Sequence, residues 1–244
     1  MRVIDRLRGP GWALVPVGSI VGVVFAIRFL SDTATGLTYL ALVAVPPLAA
    51  IALGWTGRGS RPAIAPAAVV LFVIAWAARR SLAGEAAAAL LSALSCVTLG
   101  VLLAAVTPPA WLKLAIVAMA AADTWLVVSD LLQAPNSTLV AAHPPAGLPR
   151  LQTEIFGSVS MGYGDLFVAG LLGAVLASDA GLQLRAAVLT LAIAAVFDLL
   201  FLVVAELPAT VPVALTVILI ETRALVSASR RRSPPAGGIP RQAT

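Results

Sequence analysis

Four aspartates stand in stretches of this sequence that are otherwise strongly apolar. Asp123 and Asp130 lie in AMAAADTWLVVSD, Asp165 in SMGYGDLFVAGLL and Asp198 in AIAAVFDLL. A lone carboxylate at the centre of a bilayer helix costs about 2.5–3.5 kcal/mol on insertion scales, so a chain that keeps several has a use for them. Two carboxylates meeting in a low-dielectric site cannot both ionise cheaply, and the pair shares a proton. One then acts as general base on a water while the other, protonated, polarises a carbonyl. That is the hydrolytic chemistry of an acid pair on a peptide bond, and it needs no metal. The same acids also suit two other uses, as polar glue between helices or as steps in a proton path.

Depth sorts the four. With a helix ending near Leu132, Asp123 lies roughly 13 Å below that end at 1.5 Å per residue. With the next helix starting near Ile155, Asp165 lies roughly 15 Å down, at a matching level. Asp130 falls within about 3 Å of a helix end, where water reaches it. Asp198 lies roughly 11 Å from an end, so depth does not exclude it. Gly162 and Gly164 bracket Tyr163 and immediately precede Asp165. Glycine removes side-chain bulk and weakens a helix start, which lets another backbone approach the carboxylate.

The elements that must position these acids are membrane helices. The chain has 244 residues, of which 60% are hydrophobic and 11% charged, well below the roughly 25% charged residues of a soluble domain. A span takes about 20 apolar residues. Eight stretches qualify, at roughly 12–30, 36–54, 63–78, 86–106, 110–132, 155–177, 184–205 and 207–225. The expected fold is an all-α polytopic membrane bundle of about eight helices. Its divisions are N-terminal helices over 1–106, acid-bearing helices over 107–226 and a disordered basic tail over 227–244. The segment 133–154, rich in Pro, Ser, Thr and Asn, reads as a loop that re-enters the membrane edge.

The net charge of +5 comes from basic residues at the two ends and in short loops. That pattern sets orientation in a membrane and makes no patch for nucleic acid. Arg2, Arg6, Arg8, Arg58, Arg61, Arg223 and Arg230–Arg232 share one side if eight helices cross, which puts both termini in the cytoplasm. Arg79 and Arg80 fall on the other side. With one cysteine, Cys96, and one histidine, His143, no Cys/His metal site is expected, and no cofactor. The Ala- and Arg-rich, lysine-poor composition points to a GC-rich bacterial genome and so to a bacterial plasma membrane.

Gly162-Tyr163-Gly164-Asp165 at the head of an apolar helix resembles the G-x-G-D motif of the presenilin and signal peptide peptidase family of intramembrane aspartyl proteases. The order around it agrees over roughly residues 110–225. A membrane aspartate, Asp123, comes one helix earlier, and one helix intervenes before LPATVPVAL, where Pro208-Ala209 match the start of the family's Pro-Ala-Leu motif. The resemblance implies that Asp123 and Asp165 activate water against a peptide bond in a transmembrane segment or signal peptide. It also implies that Gly162, Tyr163, Gly164, Pro208 and Ala209 shape the site. Three features depart from the pattern. Ala122 stands where a tyrosine usually precedes the first acid, Thr210 replaces the leucine, and the family typically has nine helices. Prepilin peptidases also carry G-x-G-D, but with a lysine two residues after the acid, where this chain has Phe167. The rival reading is a proton-coupled transporter with Asp123, Asp165 and Asp198 as a relay.

Overall fold

The computed structural model describes residues 8–30, 32–142, 144–156, 159–204 and 207–232. Apolar runs fold into helices, one of which continues through Pro46 and Pro47. The helices are α1 (Leu14–Phe29), α2 (Thr33–Ile51), α3 (Ala67–Ala77), α4 (Leu82–Val106), α5 (Pro109–Val128), α6 (Gln133–Ala141), α7 (Tyr163–Val175), α8 (Ala180–Asp198) and α9 (Val211–Arg232). Pro109 opens α5, where a missing N–H does no harm. Ser81 caps α4 by accepting the Gly84 N–H at 3.4 Å, and Asp179 caps α8 by accepting the Leu182 N–H at 2.9 Å.

Among the described residues, five helical stretches are long and apolar enough to cross a membrane: Pro10–Phe29, Thr33–Thr56, Leu82–Val106, Pro109–Val128 and Ala180–Asp198. Pro62–Ala77 and Tyr163–Val175 are apolar but shorter. Val43, Leu191 and Leu202 are largely exposed, as suits side chains that meet hydrocarbon. The chain is thus an all-α bundle of membrane character, with one small β-hairpin.

That hairpin corrects the sequence reading. A helix was expected from residue 155, but Thr153–Phe156 (β1) pairs antiparallel with Val159–Gly162 (β2), and helix begins only at Tyr163. The reason is local. Thr153, Ile155, Phe156 and Val159 are β-branched or aromatic and favour strand, and the dipeptide Gly157-Ser158 between the strands is a hairpin turn signal. The segment expected as loop also contains α6. At the other end, the chain expected to lose structure at residue 227 continues as helix to Arg232. Alanine and arginine there propagate helix readily, and no glycine or proline stands between Pro212 and Pro234. Residues 233–244 of the expected tail lie outside the described residues, as do Arg2, Arg6 and His143.

The helices alternate in direction, so the bundle has two ends. At one end the Gly9 N–H donates to the Val106 carbonyl at 2.9 Å, and Arg58 donates to Gln183 Oε1 and the Ala177 carbonyl, both at 2.9 Å. At the other, Arg79 donates to the Gly147 carbonyl at 2.8 Å. The hairpin and α6 lie at this second end. Arg79 therefore has a local partner in the segment joining the two acid-bearing helices.

One buried cluster joins α5, α7 and α9 through Leu112, Ile116, Met119, Val168, Leu171, Val213 and Val217. A second gathers Val45, Ala49, Ala68, Ala75, Ala87 and Leu91 with Leu151. The most extensive helix contact is α4 on α7, which links the two sides of the division expected at residue 106. It is possible because both helices carry glycine where they cross. A Cβ on Gly100 would stand 2.8 Å from the Gly170 carbonyl oxygen, and one on Gly170 would stand 2.9 Å from the Cys96 backbone. Small residues let membrane helices pack backbone to backbone in this way.

Gly170→Leu should therefore separate α4 from α7. The expected loss is about 1–3 kcal/mol of stability, read as a fall of several degrees in the thermal unfolding midpoint in detergent. Gly18→Ala, where nothing lies within 4 Å, should leave the midpoint unchanged.

Candidate active site

Three helix ends converge at the hairpin end of the bundle. Asp123 lies near the C-terminal end of α5, which closes at Val128. Asp165 lies in the first turn of α7. Thr210 immediately precedes α9. Because α7 starts so late, Asp165 is not some ten residues down a helix, as the sequence reading had it. It sits directly beneath the strand that leads into its own helix.

Each carboxyl is held by one oxygen. Asp165 Oδ2 accepts the Gly162 backbone N–H at 3.1 Å, reaching back from the third helical position to the residue before the helix. Asp123 Oδ2 accepts the Thr210 hydroxyl at 2.6 Å and, more loosely, the Thr210 backbone N–H at 3.4 Å. Both acids are partly buried. Each thus sits at a helix N-terminus, Asp165 at that of α7 and Asp123 at that of α9. The positive end of the helix dipole favours negative charge there. The packing of α5 against α7 brings the two acids to the same end of the bundle.

The other residues singled out in the sequence divide clearly. Gly162 has an ordinary extended backbone, with φ −73° and ψ 149°, so no unusual conformation demands glycine there. Space distinguishes the two glycines. A Cβ on Gly164 would have its nearest neighbour at 4.0 Å, the Ile20 side chain, and one on Gly162 would meet Asp165 Oδ2 at 3.4 Å. Gly164 is therefore the less crowded of the two. Tyr163 points toward α4, where its hydroxyl shares a 2.7 Å hydrogen bond with Ser95 Oγ, and its carbonyl lies 3.9 Å from Cys96 Sγ. It ties the G-x-G-D turn to α4. Pro208 is buried and Ala209 half-buried, in the turn that delivers Thr210. Asp198 is exposed at the last residue of α8 and takes no part in these hydrogen bonds. Asp130 is exposed in the turn after α5, at φ 54°. No group of three or more His, Cys, Asp or Glu side chains suited to a metal occurs among the described residues.

Two contributors escaped the sequence reading. Thr210 entered only as a departure from Pro-Ala-Leu, although a hydroxyl beside a buried acid is a ready donor. Glu154 reads in the sequence as the end of a loop. It lies in β1 against α4, 6% exposed, and its Oε1 has no hydrogen-bond partner among the described residues. Burial pushes the Glu154 carboxyl up to about 7, with the nearby Ser92 hydroxyl pulling the other way. Thr153-Glu154-Ile155-Phe156 does not alternate polar with apolar, so no periodicity in the sequence signals its burial.

The chain matches no family model, no curated protein and no solved structure. The likeness to G-x-G-D proteases therefore rests on its own residues.

Glu154 makes stability depend on pH in a definite direction. The folded protein holds this proton more tightly than the unfolded chain, whose glutamate titrates at the ordinary 4.5. The stabilisation is complete below that value and is lost as pH rises through about 7. Glu154→Gln should remove that decline. Unfolding midpoints at pH 5 and pH 8 should lie closer together in the variant than in the wild type.

Proposed function

We propose that this protein is an intramembrane aspartyl protease that hydrolyses peptide bonds in transmembrane segments or signal peptides. The observation that carries the reading is the convergence of Asp123 and Asp165, each tethered through Oδ2 while Oδ1 receives no donor from the described residues. In this reading Asp123 takes a proton from water as the oxygen attacks the scissile carbonyl carbon. Asp165, carrying the shared proton, gives it to the carbonyl oxygen. The tetrahedral diol then collapses. The C–N bond breaks, and a proton held by the pair passes to the departing nitrogen. No metal and no cofactor enter the step.

The room at Gly164 suits an extended substrate backbone lying beside Asp165, and Gly162 shapes the site by donating its N–H to that acid. Pro208 and Ala209 fit a wall of the same site, since proline brings no N–H that must be satisfied. A relay reading for a transporter would need Asp198, which is exposed at a helix end and outside the pair. The finer topology belongs to this proposal: eight crossings, with α3 and α7 as the short ones. Basic residues Arg58, Arg61, Lys113 and Arg223 gather toward the end opposite the hairpin, which supports cytoplasmic termini in a bacterial plasma membrane. The acids then lie toward the outer face, and the favoured substrates have cytoplasmic N-termini.

The test is cleavage of a fluorogenic transmembrane peptide by the purified protein in detergent. Asp123→Asn and Asp165→Asn should each lower the rate by about 10²- to 10⁴-fold. Asn keeps an oxygen acceptor for the Thr210 and Gly162 donors, so folding should survive. Asp198→Asn should cleave as the wild type does. Equal loss on Asp198→Asn, or no cleavage across several peptides, would overturn the assignment.

A further inference from the structure

We infer that Thr210 is a positioning residue for the carboxyl pair, fixing Asp123 Oδ2 as an acceptor and so confining the catalytic proton to the remaining carboxyl oxygens. The inference rests on the protease reading and assigns a role to the residue that departs from the family's motif. Thr210 is 1% exposed. Its hydroxyl has one hydrogen, and that hydrogen is directed at Asp123 Oδ2 over 2.6 Å. Its backbone N–H, which can only donate, is directed at the same oxygen at 3.4 Å. An oxygen that accepts two donors has no place for a proton of its own. Asp165 Oδ2 accepts a single donor, the Gly162 N–H. On Asp123 the shared proton is left with Oδ1.

A threonine just before a helix is ordinarily a cap, with its oxygen accepting an N–H from the second or third helical residue. That role is not taken here. The second residue of α9 is Pro212, which has no N–H, and no bond runs from Val213 N to the Thr210 hydroxyl among the described residues. The backbone begins the helix normally, with the Ala214 N–H donating to the Thr210 carbonyl at 3.2 Å. The hydroxyl is thus engaged with Asp123 and not with its own helix. A leucine at this position could supply the backbone N–H but not the hydroxyl.

Thr210→Val keeps the shape and removes the donor, and Thr210→Ser keeps the donor. Both are read against wild type and Asp123→Asn in the same peptide assay. Thr210→Val should lower kcat by about 10- to 100-fold, the weight of one hydrogen bond to a charged group, with KM within about twofold of wild type on the same grounds. The acidic limb of its kcat/KM profile should move to higher pH by about one unit. Thr210→Ser should recover most of the rate and the wild-type profile. Equal unfolding midpoints for wild type and both variants confirm that the fold is held. If Thr210→Val matches wild type in rate and profile while Asp123→Asn is inactive, the positioning role alone is overturned. The same holds if Val and Ser variants lose rate equally with the profile unmoved. If Asp123→Asn cleaves normally, the acid-pair reading falls first and this inference with it.

Discussion

The direct contact between the backbones of α4 and α7 governs the rest of the structure. Gly100 and Gly170 let the two helices approach until a methyl group on either would collide with main chain. In a membrane no hydrophobic force drives helix against helix, so such close van der Waals packing must do that work. The contact fixes the height and rotation of α7. That in turn sets Tyr163 against Ser95, and two residues of helix, a little over half a turn, carry the chain from Tyr163 to Asp165 on the side toward α5. The carboxyl pair is thus referenced to α4, a helix that contributes no acid to it.

The second constraint is the burial of acids where water is scarce. The chain answers it with helix ends. Asp165 occupies the first turn of its own helix, and Asp123 faces the residue before another. Both receive main-chain N–H groups that a helix start leaves unpaired, and both meet the favourable end of a dipole. Glu154 has no such arrangement. Its Oε1 is buried without a hydrogen-bond partner among the described residues. The contrast shows how much the helix termini contribute.

The membrane class was legible because composition and apolar run length bound it tightly. The packing of the two acid-bearing helices was legible too, since chain order makes α5 and α7 neighbours. What was not legible was the depth of Asp165, because hydropathy does not distinguish an apolar strand from an apolar helix. Ile155, Phe156 and Val159 satisfy both, and only Gly157-Ser158 argued for a turn. Thr210 was discounted for a different reason. A pattern match scores it as a missing leucine, whereas its role depends on a hydroxyl meeting an acid on another helix, 87 positions away in the chain. The helical extension to Arg232 was obscured by its charge, which reads as tail although its residues favour helix.

The late start of α7 bears on supply as well as on geometry. A hydrolase consumes one water for every bond it breaks, and hydrocarbon carries almost none. An acid midway along a span would need a conduit through the bundle. Asp165 in a first turn, with Asp123 near a last turn, needs only a short passage past the hairpin. In the proposed hydrolase, water then has only the hairpin to pass, and the hairpin, by shortening the helix, brings Asp165 near the end of the bundle.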